Sequence, residues 1–445
     1  MKYSLLWTDL VLYVYLLILV FFFISIARDR FKRRKWSLIM GTPARIVSLC
    51  IVLVYLFVAI LDSIHVSYQY DSSVDGSVDY AKSVVSVLDM AYKNHSEHSE
   101  YSYAEPFSDT TFVPEMIEDD AQGYKWKKRI LKYTKLQDDI GKNIMTNIAI
   151  SFFVAAFVFV SIIMLKNLLK FRAPFQKLAI IISVTIFLPC LLYLVSLDYH
   201  MFGTDKVGKD VLYLSLKGVR TGLLIGILTT FFMLPLAICF GVAAGFFRGK
   251  VDDFIQYIYT TVSSIPGVLL IAASVLSMQL WLDKNQDLFA GYANRVELRL
   301  VMLCFILGVT SWPGLCRLLR AEVMKIRELS YISAAKLLNA SSLSIIIKHV
   351  LPNVMYLIII STVMDMSGLV LAESVLSYIG IGVDPSSFSW GNMINSSRME
   401  LSREPVIWWG LAGAFAAMFV FVVAINIIAD GIRDIYDPKS TTRVL

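Results

Sequence analysis

Nine stretches of this chain are apolar over a length that matches a lipid bilayer. They cover about residues 5–26, 46–64, 144–165, 178–197, 218–246, 257–281, 298–316, 353–376 and 406–429. A bilayer's hydrocarbon core is about 30 Å thick, and a helix needs roughly 20 apolar residues to cross it. Hydrophobic residues make up 57% of the chain and charged ones 17%, which excludes both a soluble globular protein and disorder. The expected fold class is an all-α polytopic membrane protein.

The net charge of +6 is no nucleic-acid signature, because the basic residues concentrate in short loops between spans. Residues 28–35 read RDRFKRRK, and residues 166–177 are basic as well. Lys and Arg resist translocation, so such loops face the cytoplasm, with contact to anionic lipid as a secondary role. The first apolar run precedes its positive charge, the reverse of a signal peptide, and is expected to stay as a span. It starts outside and ends inside. Alternating from there puts the N-terminus outside an inner membrane and residues 430–445 in the cytoplasm. The five cysteines lie in or beside apolar segments with no CxxC spacing, which favours burial over disulfides or metal.

Residues 62–143 differ in kind. They hold 15 Asp or Glu against 9 Lys or Arg, with interleaved aromatics and no span. They read as a small extracytoplasmic α+β or helical cap, too small for a strong core of its own. Residues 71–79 read as loop, and 84–92 and 125–144 as helices, the second basic and amphipathic. His95 and His98 raise a metal site; without further ligands of suitable spacing, a polar loop is the preferred reading.

Residues 317–352 form a basic segment between two spans, RLLRAEVMKIRELSYISAAKLLNASSLSIIIKHVLP. Residues 331–338 are periodic, 339–342 break the pattern, and 343–349 are periodic again, a helix–turn–helix. Ser333, Ala334, Ala335, Asn339, His349, Leu351 and Pro352 resemble the coupling loop of ABC-importer permeases, where a short helix sits in a cleft of the ATPase subunit. Ser333 stands where that family has Glu, which removes a charge able to pair with the ATPase. Asn339 stands where it has Gly. That Gly serves a turn with positive φ, and Asn tolerates the region best after Gly.

From Phe202 onward the chain resembles the C-type subunits of dipeptide and oligopeptide importers. The blocks are GTDKVGKDV at 203–211, GFFRGKVD at 245–252, SWPG at 311–314, AESVLSYIGIG at 372–382, SWGNM at 389–393 and NIIADGIRD at 426–434. The resemblance implies a six-span permease domain at 178–437 containing the coupling loop at 317–352. Residues 1–177 are then an extension with three spans and the insert at 62–143. It also implies a B-type permease partner, two ATPase subunits that bind ATP and Mg²⁺, and an extracytoplasmic substrate-binding protein.

Pro235, Pro266 and Pro313 fall within spans, where each removes a backbone hydrogen bond and bends or weakens its helix. Such bends suit either a rocking cavity or plain packing. Asp365 and Glu373 share one span. An intramembrane carboxylate is costly and normally faces the bundle interior or a wet cavity. Both are candidates to line a substrate pathway for a cationic group such as a peptide amino terminus, with Glu373 leaning toward helix-to-helix bonding. No phosphate-binding GxxxxGK[ST], HExxH or GxSxG occurs, so no catalytic residue, metal or cofactor is expected in this chain. The reading is an importer subunit working by alternating access. An ion-driven secondary transporter and a transport-inactive sensor or scaffold stay open beside it.

Overall fold

The computed structural model describes residues 2–3, 6–29, 36, 41–70, 79–93, 95, 98–119, 123–134, 140–169, 175–285 and 292–436. The expected loop at 71–79 lies outside them save for Asp79, as do most of the basic residues at 28–35 and Lys170–Pro174 within the second basic stretch. Helices dominate. In chain order they are α1 (Trp7–Arg28), α2 (Pro43–Ser63), α3 (Val87–Ala91), α4 (Ile140–Leu169), α5 (Phe175–Ser196), α6 (Val211–Phe247) and α7 (Lys250–Ser264). Then come α8 (Gly267–Lys284), α9 (Tyr292–Arg327), α10 (Ser330–Leu337), α11 (Ser342–Ile345), α12 (Leu351–Tyr378), α13 (Trp390–Arg398) and α14 (Trp409–Tyr436). The chain is an all-α polytopic membrane protein. Among the described residues eight helices are long and apolar enough to cross a membrane, or nine if the bent pair α7–α8 counts as one.

That pair covers the single span expected over 257–281 and divides it into two helices. The two helices are bent by 85°, at Ile265–Pro266. Pro266 has no N–H to donate and its ring obstructs the preceding turn, so the helical bonds lapse there. Pro235 and Pro313 sit inside α6 and α9, as does Pro189 inside α5. Helix α9 also runs on through Arg327, so the basic residues from Arg317 extend a span rather than open a loop.

The chain divides into two compact units, Met1–Leu10 with Ile26–Gly222 and Phe388–Ile428, and Val11–Ser25 with Leu223–Ser387 and Ala429–Leu445. In the first unit the insert is α+β. Strands β1 (Lys2–Tyr3), β2 (His65–Tyr70) and β3 (Asp79–Ser86) make an antiparallel sheet in that order. Strands β4 (Glu115–Asp119) and β5 (Gly123–Lys127) make a hairpin. These strands correct two expected helices. Residues 84–86 finish β3, and only from Val87 does a capping box between Ser86 and Asp89 start α3. Residues 125–127 are strand, and the helix expected from 125 begins at Ile140. Tyr124, Lys125, Trp126 and Lys127 alternate aromatic and basic, a period of two that suits a pleated strand.

A buried charge cluster ties this unit together. Lys217 of α6 lies 3.1 Å from Asp62 of α2 and 2.7 Å from Asp89 of α3. Ser86 donates to Asp62 and Tyr213 to Asp89. One turn along α6, Arg220 contacts Asp9 of α1 at 2.6 Å, and Asp9 also meets His65 at 2.9 Å. Gly218 and Gly222 leave room for the buried Trp390, whose indole N–H donates to the Ser215 carbonyl.

The core of the second unit joins Met233, Phe246, Ile255, Trp312, Leu319, Val323, Ile332, Ile345 and Val354. Close helix contact is built in: a Cβ on Gly241 would stand 2.9 Å from Leu319 Cβ, and one on Gly245 2.7 Å from Val323 Cβ. Small residues four apart let α6 and α9 approach at backbone distance.

Candidate coupling hairpin and translocation helix

Helix α10, the turn after it and α11 form the hairpin expected from the sequence, and all of it belongs to the second unit. Helix α10 ends in a Schellman motif. The Asn339 N–H bonds the Lys336 carbonyl at 3.0 Å and the Ala340 N–H bonds the Ala335 carbonyl at 3.1 Å. The motif needs one residue in the left-handed region, and Asn339 supplies it with φ 60°. Ser341 then caps α11, accepting from the Ser344 N–H.

The return path is wider than an ordinary helix. Residues Ile346–Val350 form a π-helical turn, and the Leu351 N–H reaches the Ile346 carbonyl. Pro352 follows in the first turn of α12. Its missing N–H and its ring rule out regular α bonding to the preceding turn, and an extra residue in that turn absorbs the mismatch.

Ile332, Ile345 and Val350 anchor the hairpin, each at most 1% exposed. Asn353 fastens its base, donating to the Tyr331 hydroxyl at 3.0 Å and to the His349 carbonyl at 2.7 Å. The tip is the reverse: Leu337 is 88% exposed, Leu338 84% and Leu343 67%. Of the expected coupling residues, Ser333, Ala334, Asn339 and Pro352 are exposed, while Ala335, His349 and Leu351 are half-buried. His349 lies against Tyr331, with ring centroids 6.1 Å apart.

Sequence reasoning missed the ion pair that joins α7 and α9. Arg320 of α9 grips Asp252 of α7 with two hydrogen bonds, of 2.5 and 2.8 Å. Asp252 lies in the first turn of α7, just after Arg248 and Gly249, which have φ 55° and 58°. Nothing in a spacing of 68 residues signals that pair. At the other end of α9, Arg299 meets Asp384 at 2.8 Å. Burial raises the Asp384 carboxyl, but hydrogen bonds from Ser386 and the Arg299 charge outweigh it and hold the group below its ordinary value.

The two carboxylates of α12 are separated by two helical turns, and their environments differ. Glu373 is 1% exposed and accepts from the Ser377 hydroxyl at 2.7 Å. That bond lies within one helix, whereas the expected bonding role was between helices. Asp365 is half-buried, and its carboxylate accepts no hydrogen bond from the described residues.

Residues 237–442 match the family described as the binding-protein-dependent transport system inner membrane component. Over those residues the C-terminal part of this chain is similar to that family of permease components. The chain is similar to the oligopeptide transport system permease protein OppC of Haemophilus influenzae, 29% identical over 243 residues, which is 54% of this chain and 71% of that protein. It is also similar to the dipeptide transport system permease protein DppC of Bacillus subtilis, 29% identical over 242 residues, covering 54% of this chain and 69% of the other. The hairpin, the Arg320–Asp252 pair and both carboxylates of α12 fall inside the matched residues.

The hairpin turn makes a direct prediction. Asn339→Gly is expected to leave thermal stability unchanged within a few tenths of a kcal/mol, since both residues tolerate positive φ. Asn339→Val should cost about 1–2 kcal/mol, because the β-carbon meets the following carbonyl. Thermal unfolding of the purified variants measures both. Equal midpoints for Gly and Val would refute the turn argument.

Proposed function

We propose that this chain is a transmembrane permease subunit of an ABC importer for peptides or similar small solutes. Residues 178–437 form the permease domain, and residues 1–177 are an accessory extension with three spans and the insert at 62–143. The segment 317–352 docks an ATPase. ATP and Mg²⁺ are bound and hydrolysed by two partner subunits, a B-type permease encloses the path with this chain, and a binding protein delivers cargo from outside. In the inner membrane the N-terminus lies outside and the C-terminus in the cytoplasm.

The observation that carries this reading is the hairpin. It is ordered, fastened at its base and tipped with three large exposed apolar side chains. Clustered exposed apolar surface marks a site that another protein covers. Closure of the ATPases would push the hairpin and tilt the helices attached to it. The 85° break between α7 and α8 favours a second reading, an ion-driven secondary transporter, since broken helices hold coupling ions in such proteins. Co-purification with uptake measurements separates the two. The importer should bring down ATPases and lose uptake when their hydrolysis is blocked. Uptake that follows an ion gradient without them would overturn the importer reading.

Asp365 is the proposed pathway residue for a cationic cargo group. Asp365→Asn keeps the size and removes the charge, so the complex should assemble normally and lose uptake of that cargo by tenfold or more. Unchanged uptake in an assembled complex would exclude charge recognition here.

A further inference from the structure

We propose that His95, His200 and Asp210 bind one divalent transition-metal ion of the zinc class. The insert supplies His95, and the loop between α5 and α6 supplies the other two. One ligand atom from each lies within 4.8 Å of the other two. All three are buried, at 6%, 2% and 2% exposure.

The His95 imidazole is held as metal-ligating histidines are held. In such sites the ring nitrogen away from the metal donates its N–H to a carboxylate or a backbone carbonyl, which fixes the tautomer. His200 meets Asp210 through Nδ1 at 2.7 Å. These two atoms already lie closer together than two ligand atoms of one ion need to, so both belong to the set, the proton between them leaving as the metal binds. His95 meets the Ser196 carbonyl through Nε2 at 2.6 Å, which leaves its lone pair on Nδ1. The two rings stand 5.1 Å apart edge to face. Asp210 accepts from the Tyr213 N–H on its other oxygen, and each oxygen keeps a further lone pair.

Two imidazoles and one carboxylate suit Zn²⁺, Ni²⁺ or Cu²⁺ and not Mg²⁺, which prefers oxygen ligands. Ligand atoms on one Zn²⁺ sit roughly 3.3 Å apart at bond lengths of about 2.0–2.1 Å. Side-chain rotations of about an ångström therefore close the set. His98 has no part in it, since its ring stacks on Tyr133 with centroids 4.6 Å apart. The ion would pin the insert to the α5–α6 loop, alongside the backbone bonds from Glu100 to Gly208 and from Thr204 to Ala104.

The test uses the full-length protein in detergent, stripped with a chelator and reloaded. Wild type should take up about one equivalent of Zn²⁺ by elemental analysis. Its melting temperature should rise by roughly 5–10 °C on reloading with Zn²⁺ and not with Mg²⁺. His95→Gln should lose both the equivalent and the rise, while His98→Ala keeps them. Wild type without a bound equivalent, an equal rise with Mg²⁺, or full retention in His95→Gln would each overturn the proposal. If His95→Gln does not assemble, reversible loss and recovery of the rise in wild type decides, because a hydrogen-bonded cluster without metal would not respond to the chelator.

Discussion

Replacing Lys217 with methionine is expected to cost the protein about 3–5 kcal/mol, because it leaves buried carboxylates without their counter-charge. Lys217 is 8% exposed and stands between Asp62 and Asp89, which are 4% and 9% exposed. Thermal unfolding of the detergent-solubilised protein measures the loss. The triple variant Lys217→Met, Asp62→Asn, Asp89→Asn should recover most of it, since neutral replacements of a whole buried ion cluster are often tolerated. A single variant as stable as wild type would refute the role of the cluster. Acid should act on the same cluster. Burial pushes the Asp89 carboxyl up, but the Lys217 charge with hydrogen bonds from Lys217, Tyr213 and Ser86 outweighs it and holds the group below its ordinary value. A carboxyl lowered in this way contributes stability above its unfolded value and surrenders it as pH falls through its folded value. Wild type should therefore weaken below about pH 4, and Asp89→Asn should weaken less.

Leu338→Asp is expected to leave the fold intact and to break ATPase association. The side chain is 84% exposed, so its removal takes little from the core. In the proposed complex it would lie against the ATPase, where a desolvated aspartate faces apolar surface. A central apolar contact of this kind is worth about 2 kcal/mol or more, roughly thirty-fold in affinity. Quantified co-purification checks it, with the melting temperature as a control on folding. Undiminished recovery of ATPase would move the docking surface away from this tip.

The hairpin was legible because its determinants are local. An apolar period, an Asn at the turn and Pro352 within a helical run all act over a few residues, and each found its structural counterpart. The broken helix pair was half-legible. Pro266 signalled a disturbance, but a kink and a complete break look alike in sequence, since the outcome depends on what the freed carbonyls meet. The strands of the insert were misread because 125–129 offers both a basic helical face and an aromatic alternation, and pairing with β4 decided for the latter.

The sequence by itself determined the membrane class, the positions of the spans and the permease blocks, because hydropathy and backbone preference are summed along the chain. The tertiary structure alone decided which charges meet. Lys217 finds Asp62 and Asp89, Arg220 finds Asp9, and Arg320 finds Asp252. It also brings His95 to His200 and Asp210 across 105 and 115 residues, counted from the numbering. Such pairs carry no periodic signal, since a buried charge is tolerated wherever a partner arrives, and only the packed helices determine which partner that is.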